Sequence, residues 1–266
     1  MRLILFASDF GPGSEWVGTC HAVVAAIAPT THIIDLTHAL TPFDVAGAAA
    51  VLADVVPFAP PSIAVLVVDP GVGSTRRAIA LRCGRGDILV GPDNGLLTSV
   101  AQSLGGAREA RELSETRYHG RSRSSTFHAR DVFSPVAAHL SLGVAFEDVG
   151  STLELQSLCS LVPPRAEIVP GRIRCEVTNI DRFGNVRLSV KTDALNEAKL
   201  NERDSLTVSS PAGKLYARRA RTYQDLAADE MGLIVDSFGW LCLVMNRAST
   251  AQLLGANRGS PVEINA

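Results

Sequence analysis

The first 150 residues of the chain repeat one local arrangement, in which a short apolar run is followed by an aspartate and usually by a glycine. The runs are RLILFASDFG, HIIDLTH, SIAVLVVDPG and DILVGPDNG. Helix-length apolar patterns, such as EWVGTCHAVVAAIA and FDVAGAAAVLADVV, lie between several of them. Nearly continuous apolar strands that alternate with helices are typical of a parallel sheet covered on both faces. The sequence therefore predicts an α/β fold built on a parallel sheet.

The aspartates of these runs stand where the predicted strands end. They are Asp9, Asp35, Asp69 and Asp93. In open α/β sheets, ligands bind beyond the carboxyl ends of the strands. We therefore expect the four carboxylates to lie near one edge of the sheet.

The pattern changes after CSLVPPRAEIVPG (159–171), a stretch rich in proline that is typical of a domain boundary. Beyond it, RIRCEVTNI and VRLSV alternate apolar and polar residues around the turn RFGN, and SLTVSS, KLYARRA and GWLCLVMN resemble further strands. We predict an N-terminal α/β domain over residues 1–160, a linker over 161–171, and a smaller β-rich barrel or sandwich over 172–266.

The charge balance argues against nucleic acid as a partner. The formal net charge is −2, whereas binding to a polyanion needs a surplus of Lys and Arg. The cluster Arg218, Arg219 and Arg221 is therefore interpreted as a solvated strand face.

The apolar runs are too short for a membrane protein. LILFA at residues 3–7 is shorter than the core of a signal peptide, and no run approaches the ~20 residues of a membrane span. The five cysteines form no CxxC pair, so we interpret them as small buried side chains in a reducing compartment rather than as disulfides or metal ligands. We predict a cytoplasmic protein without a membrane partner.

Asp69, in IAVLVVDPGVGSTRR, is open to two interpretations. It presents a carboxylate in a cleft after a buried strand, or it caps a turn, as aspartate often does. Arg76 or Arg77 could return a guanidinium to this carboxylate, which would fix its orientation and keep it ionised. The glycines do not match a phosphate-binding loop, because GxxxxGK[ST] is missing.

The segment TFHARDVF places His128, Arg130 and Asp131 within four residues, just before an apolar helix. A histidine there can orient or deprotonate water near neutral pH, while Asp131 can favour the start of a helix through its charge. His38, in DLTH, is open to a functional and to a structural interpretation. The histidines interpreted as structural are His21, His32 and His139.

In the second part of the chain, NIDRFGNV sets Asp181 and Asn185 on either side of a tight turn. Such a turn needs no function to explain its composition. From the residues alone, its role stays open.

Taken together, seven segments resemble the S-adenosyl-L-methionine (SAM) hydroxide adenosyltransferases, the hydrolytic relatives of fluorinases and chlorinases. They are SDFG, IIDLTH, VVDPGVGSTRR, VGPDNGLLT, TFHARDVFSPVAAHL, IDRFGN and DSFGWLCLVMNRAS. The resemblance runs from about residue 3 to residue 264. It implies an N-terminal α/β domain, a C-terminal β-barrel, and a homotrimer with its sites at subunit interfaces. It implies SAM as substrate, with neither a metal nor a cofactor.

The resemblance also implies roles for individual residues. Asp69, Arg76 and His128 match the family's residues that hold the attacking water. The matching substrate-binding residues are Asp9 for the ribose, Phe43 beside it, Tyr223 packed on adenine, Asn185 toward adenine, Asp181 toward the methionine amino group, and Ser237 on methionine.

Departures from the fluorinases favour water over a halide. Asp69 stands where fluorinases carry a tyrosine, Val72 replaces a halide-binding threonine, and Ala129 replaces a serine. Ala129 also differs from the glycine usual in the hydrolases, and Met245 replaces an arginine near adenine. The resemblance thus implies hydrolysis of SAM to adenosine and L-methionine through attack of an activated water on the ribose C5′. Two alternatives stay open: a non-catalytic protein that binds SAM or adenosine, and a halide-dependent adenosyltransferase.

Overall fold

A computed structural model of the protein describes residues 2–121 and 124–266. The chain divides into two compact units, Met1–Leu161 and Val162–Ala266. We refer to them as the first and the second unit.

The first unit is built on a seven-stranded sheet in the order β2-β1-β3-β5-β4-β6-β7. Its strands are β1 (Ile4–Ser8), β2 (Ile33–Thr37), β3 (Ile63–Val67), β4 (Ala78–Cys83), β5 (Ile88–Pro92), β6 (Ala107–Glu112) and β7 (Thr152–Leu153). The neighbours among β2, β1, β3 and β5 are parallel, which confirms the strands predicted from the four apolar runs. The pairs of β5 with β4, β4 with β6 and β6 with β7 are antiparallel. The sequence AREARE of β6 contains no apolar run, and for this reason the prediction missed it.

Helices cover both faces of this sheet, as predicted. They are α1 (Glu15–Ile27), α2 (Val45–Val55), α3 (Leu96–Gln102) and α4 (Ser134–Ser141). Successive residues of a strand point to opposite faces. Accordingly, Ile4 of β1 packs in one apolar cluster with residues of α1 and α4, while Leu5 packs in another with residues of α2 and α3.

Three of the four aspartates follow strands of the parallel part as expected. Asp9 comes directly after β1, Asp69 two residues after β3, and Asp93 directly after β5. The expectation is wrong for Asp35, which lies inside β2 and pairs in register with Phe6. The strand β2 is at the edge of the sheet, where a partly exposed carboxylate is tolerated.

The second unit is a closed β-barrel of seven strands. The unit contains β8 (Ala166–Val169), β9 (Arg172–Ile180), β10 (Val186–Lys191), β11 (Ser205–Ser210), β12 (Gly213–Arg219), β13 (Met231–Val235), β14 (Trp240–Met245) and β15 (Pro261–Asn265), with the short helices α5 (Asp193–Glu197) and α6 (Thr250–Leu254). The sheet order is β10-β14-β13-β12-β11-β15-β9-β8, and pairing of β9 with β10 closes the barrel. Of the two β-rich architectures expected, the barrel is therefore confirmed.

Two strands of the barrel have weak sequence signals. In β13 (MGLIV) apolar residues do not alternate with polar ones, and β15 begins with a proline, which argues against a strand. The outer strand β8 lies inside the stretch 161–171 that the sequence assigns to a linker, where it pairs with β9.

Four of the cysteines are buried and none of the five is in a disulfide. Burial raises the pKa of the Cys20 thiol to about 11 and those of Cys83, Cys175 and Cys242 to about 12. These thiols therefore stay protonated near neutral pH and pack as small apolar side chains. No helix within the described ranges has the length and apolar character needed to cross a bilayer.

Candidate active site

Asp69 lies at the carboxyl edge of the sheet, two residues after β3, and Arg76 contacts its carboxylate. All five residues of β3 are buried, and the chain turns back through the hydrogen bond from Ser74 N to the Gly71 carbonyl (3.1 Å). Arg76 donates from Nε to Asp69 Oδ1 (3.1 Å) and from Nη2 to Oδ2 (2.5 Å). This two-pronged geometry fixes the plane of the carboxylate. Both side chains are only 7% exposed.

Burial decides the pKa of the Asp69 carboxyl. Burial raises this pKa above its usual value, and the opposite charge and hydrogen bonds of Arg76 lower it by less. The two-pronged contact thus confirms the expected orientation by an arginine, while the direction of the pKa shift is set by burial. A carboxylate with a raised pKa is the stronger base, so the arrangement combines fixed orientation with readiness to accept a proton.

His128 completes the group through the same guanidinium. Arg76 Nη2 lies 3.1 Å from His128 Nδ1. Because a guanidinium only donates hydrogen bonds, Nδ1 must accept, and a neutral imidazole then carries its hydrogen on Nε2. Of the two roles considered for this histidine, the geometry favours orienting water over deprotonating it.

A π-helical turn over Ala129–Phe133, between His128 and α4, sets the position of the imidazole. Such turns are rare and often occur at functional sites. The Phe133 ring packs under the group, with its centroid 5.5 Å from Arg76 Cζ and 6.5 Å from the His128 ring. His128 is 7% exposed, so all three polar side chains are held in a largely dry environment.

The neighbouring arginine, Arg77, serves a different carboxylate. It donates from Nε to Asp93 Oδ2 (2.9 Å) and from Nη2 to the Ser157 carbonyl (2.5 Å). From the residues alone either arginine could reach Asp69, and the observed contact is made by Arg76, the one that the resemblance implied. Arg77 instead fastens the segment near residue 157 to the end of β5.

Asp131 is also held by a neighbouring arginine. Burial alone would raise the pKa of Asp131, but the Arg130 guanidinium and the backbone N–H of Ser124 lower it below its usual range. Arg130 Nε lies 2.6 Å from Asp131 Oδ1, and Ser124 N donates to Oδ2 (2.7 Å). Asp131 therefore fastens the segment before His128, which is more than the helix-start role expected of it.

At the end of β1, Asp9 lies beside Phe43. The backbone N–H of Phe43 donates to Asp9 Oδ2 (3.0 Å), and Phe43 adopts a left-handed backbone with φ 66°. Such a conformation is costly for a residue with a side chain and is concentrated at binding sites. The Phe43 ring is 75% exposed. A carboxylate and an exposed aromatic ring are therefore presented side by side.

In the second unit, Asp181 and Asn185 form one rigid turn between β9 and β10. Asp181 Oδ1 accepts from the backbone N–H groups of Phe183 and Asn185 (both 2.9 Å), and its Oδ2 accepts from Asn185 Nδ2 (2.8 Å). Turn chemistry therefore accounts for much of this motif.

Two cavities adjoin the turn and share Asp181, Asn185 and Tyr223 in their walls. One has a volume of about 630 Å³ and includes Met245, and the other, of about 470 Å³, includes Ser237. Both volumes suit parts of a small molecule. Tyr223 is 45% exposed, and burial raises its pKa. The structure thus brings together all four site residues predicted in this unit.

Sequence reasoning missed an ion pair in the second of these cavities. Arg187 Nε lies 2.8 Å from Asp236 Oδ2, both side chains are largely buried, and the guanidinium lies 5.1 Å from the Phe238 ring centroid. The available signal was the position of Arg187 on β10, two residues after the turn. The exposed ring of Phe183 was missed as well.

Within residues 2–121 and 124–266, no group of three or more His, Cys, Asp or Glu side chains is arranged to hold a metal ion. The groups that the described sites offer are one carboxylate–guanidinium–imidazole cluster, further carboxylates and exposed aromatic rings. This set can bind a nucleoside and an amino acid and can hold a water molecule.

Comparison with known proteins gives matches along the whole chain. The family model described as SAM hydroxide adenosyltransferase N-terminal domain matches residues 4–150, and the corresponding C-terminal domain matches residues 175–263. An (R)-S-adenosyl-L-methionine hydrolase of Salinispora tropica is 41% identical, with 99% of this chain and 97% of the relative covered. A fluorinase of Actinopolyspora mzabensis is 29% identical, with coverage of 98% and 96%. The crystal structure of an uncharacterized conserved protein from Thermotoga maritima superimposes with a TM-score of 0.92 at 34% identity, with coverage of 99% and 100%.

Proposed function

Because the chain belongs to the SAM hydroxide adenosyltransferase family, we propose that it is an enzyme that hydrolyses SAM to adenosine and L-methionine. The observation that carries this proposal is the group Asp69, Arg76 and His128, in which one guanidinium contacts both a carboxylate and an imidazole. A water molecule in contact with this carboxylate and this imidazole would be held for attack on the ribose C5′.

The leaving group needs no help, since the sulfonium of SAM departs as neutral methionine. The difficulty is the nucleophile, because bulk water is a very weak acid and a weak nucleophile and must be presented in line with the bond that breaks. Asp69 accepts a hydrogen bond from the water and takes its proton as the C5′–O bond forms. His128 donates from Nε2 to the water oxygen, and Arg76 holds both side chains in place.

The predicted binding residues have the chemistry that the substrate requires. The Asp9 carboxylate binds the ribose hydroxyls beside the Phe43 ring, and Tyr223 packs on adenine. Asn185 lies toward adenine, while Asp181 and Ser237 bind the methionine end. The reaction needs no cofactor and no metal.

The protein acts as a cytoplasmic homotrimer with its sites at subunit interfaces. Supporting this assembly, the aromatic rings at the predicted contacts are unusually exposed: Phe43 by 75%, Phe183 by 69% and Tyr223 by 45%. Exposed apolar surface of this kind is typical of positions that a ligand or another subunit covers.

A halide is a poor nucleophile for this site. Ala129 is buried and offers no hydroxyl, and the valine side chain at position 72 offers none either. The Asp69 carboxylate would also repel an anion.

The test is incubation of the purified protein with SAM in halide-free buffer, then with chloride and with fluoride. Adenosine, 5′-halo-adenosine and methionine are followed by chromatography with mass detection. We expect equal amounts of adenosine and methionine, independent of halide. Asp69→Asn should lower kcat by about 10²–10⁴-fold with little change in KM, because the lost group acts in the transition state.

The matched control is Asp93→Asn, which makes the same isosteric change at another arginine-paired carboxylate after a strand. It should leave the kcat of folded protein unchanged. Tight binding of SAM without products would identify a binding protein, and a 5′-halo product would identify a halide-dependent transferase.

A further inference from the structure

Beside Asp9, four polar side chains form a connected chain. Ser8 Oγ lies 2.7 Å from His38 Nδ1, and His38 Nε2 lies 3.1 Å from Asp35 Oδ1. The same Asp35 oxygen lies 2.9 Å from His21 Nε2. This series of side chains thus runs from the buried end of β1, past the edge strand β2, to His21 on α1.

This chain has the residue types of a nucleophilic triad, but it cannot act as one. Ser8 is fully buried, with 0% of its surface exposed, so a substrate cannot reach its hydroxyl. The hydroxyl also accepts a hydrogen bond from Phe10 N (3.3 Å). In the tautomer of His38 with its hydrogen on Nε2, Nδ1 accepts from Ser8, and Nε2 lies within ion-pair distance of Asp35 Oδ1 without a well-aligned hydrogen bond.

His38 contacts the polypeptide segment on both sides of Asp9, at Ser8 and at Gly11. Its side chain contacts Ser8, the residue before Asp9, and its carbonyl accepts from Gly11 N (2.9 Å), two residues after it. The imidazole packs edge-on against Phe6, 4.7 Å between ring centroids, and its side chain is only 8% exposed. The backbone that carries the Asp9 carboxylate is therefore tied to one largely buried residue of the β2 end.

We propose that His38 is a positioning residue for ribose recognition, which fixes the turn from Ser8 to Gly11 so that the Asp9 carboxylate meets the ribose hydroxyls. The inference rests on the role given to Asp9 in the proposed function. His38 itself does not touch the substrate. Removal of its side chain breaks the contact with Ser8 and leaves the backbone bond to Gly11, which loosens the start of the turn, so the loss falls on the binding of the hydroxyls rather than on the attack of water.

The experiment uses the full chain and two ligands, adenosine and 2′,3′-dideoxyadenosine, with affinities measured by calorimetry. The wild-type protein should bind adenosine more tightly than the dideoxy analogue. His38→Ala should weaken the binding of adenosine by about tenfold and leave the binding of the analogue unchanged. With SAM as substrate, KM should rise more than kcat falls.

Three further variants test the mechanism. In an Asp9→Asn background, His38→Ala should cause no additional loss of adenosine affinity, because the carboxylate that it positions is gone. His38→Asn, whose side-chain oxygen can still accept from Ser8, should restore part of the preference for adenosine, and it carries the test if His38→Ala fails to fold. The control is His139→Ala, which removes another half-buried imidazole of the first unit and should leave the preference intact.

An equal loss of affinity for both ligands, or a His38→Ala effect that persists without Asp9, would overturn the inference while leaving the hydrolase intact. Wild-type protein that binds adenosine and the analogue equally would overturn the ribose role of Asp9 and with it the inference. Failure of the proposed function would be seen separately, because the wild-type protein would then form no adenosine from SAM.

Discussion

At Asp69, burial and an ion pair act on one carboxylate in opposite directions. Burial raises the pKa of the carboxyl group, and Arg76 lowers it by less. Without burial the carboxyl group would keep the ordinary pKa of an aspartate, and without Arg76 its pKa would be raised further and its plane would lose the two hydrogen bonds that orient it. The residue therefore combines basicity with a fixed orientation, at the cost of taking an ion pair out of water.

This balance predicts the acid limb of the pH–rate profile. The reaction needs ionised Asp69, so kcat/KM for SAM should fall as pH falls through the pKa of this group. Since the folded-state pKa lies above the ordinary value of 3.8, the limb should appear at higher pH than for an unperturbed aspartate. The profile is measured from about pH 3.5 to 8, with the stability of the fold followed by circular dichroism. A limb at or below the ordinary value would contradict the prediction.

Tyr223 lines both cavities of the second unit, and its ring is the one expected to pack on adenine. Stacking of a base on an aromatic ring contributes about 1–3 kcal/mol. Tyr223→Ala should therefore weaken adenosine binding by roughly 10- to 100-fold, while Tyr223→Phe should bind nearly as wild type. Calorimetric titration with adenosine checks both. A strong loss in Tyr223→Phe would show that the hydroxyl, rather than the ring, binds the ligand.

Among the elements, the turn between β3 and β4 contacts the segment before His128, so the two segments that carry the proposed catalytic residues lie side by side. Gly73, in this turn, has φ +79°, and a Cβ at this position would overlap the Ser125 carbonyl oxygen, three residues before His128. The turn that carries Asp69 and the segment that carries His128 thus touch through a glycine.

Gly73→Ala should push these two segments apart. We expect a loss of kcat of at least tenfold, because small displacements of catalytic groups are costly, with a destabilisation of about 1 kcal/mol or more from the left-handed backbone. The control is Gly106→Ala, which has a similar φ of +78° with no atom within 4 Å of the added Cβ. Its free energy of unfolding should fall by a similar amount, because the backbone conformation is similar, and its kcat should be unchanged. Equal kcat in the two variants would contradict the role of this contact.

For the whole molecule, each unit has an apolar core of its own, yet the predicted substrate contacts are divided between the two units. Asp69, Arg76, His128, Asp9 and Phe43 lie in the first unit, and Asp181, Asn185, Tyr223 and Ser237 lie in the second. A division of this kind fits the proposed sites at subunit interfaces.

The proposed trimer predicts a solution mass of about three times 28.1 kDa by light scattering. Dilution that dissociates the trimer should abolish turnover in parallel, because each site would lose part of its binding residues. A monomer with full activity would overturn the assembly without affecting the chemistry assigned to Asp69.

Elements with a local signal could be predicted from the amino-acid sequence alone. Continuous apolar runs predicted β1, β2, β3 and β5, and alternating runs predicted β9 and β11 with their observed bounds. An element that packs against a core has apolar residues at regular positions of its own sequence, so it can be identified without knowing which elements it packs against. The candidate site residues could also be predicted from the sequence, because residue type and spacing within a motif can be observed without the structure.

The tertiary structure was needed to see which groups meet and how each environment acts on them. It chose Arg76 over Arg77 for Asp69, placed Asp35 inside β2, and closed the barrel between β9 and β10. It also set the direction of the pKa shift at Asp69 and joined Ser8 to His38 across 30 residues. Burial, charge pairing and hydrogen bonding depend on distances between residues far apart in the chain, and local periodicity carries no record of those distances.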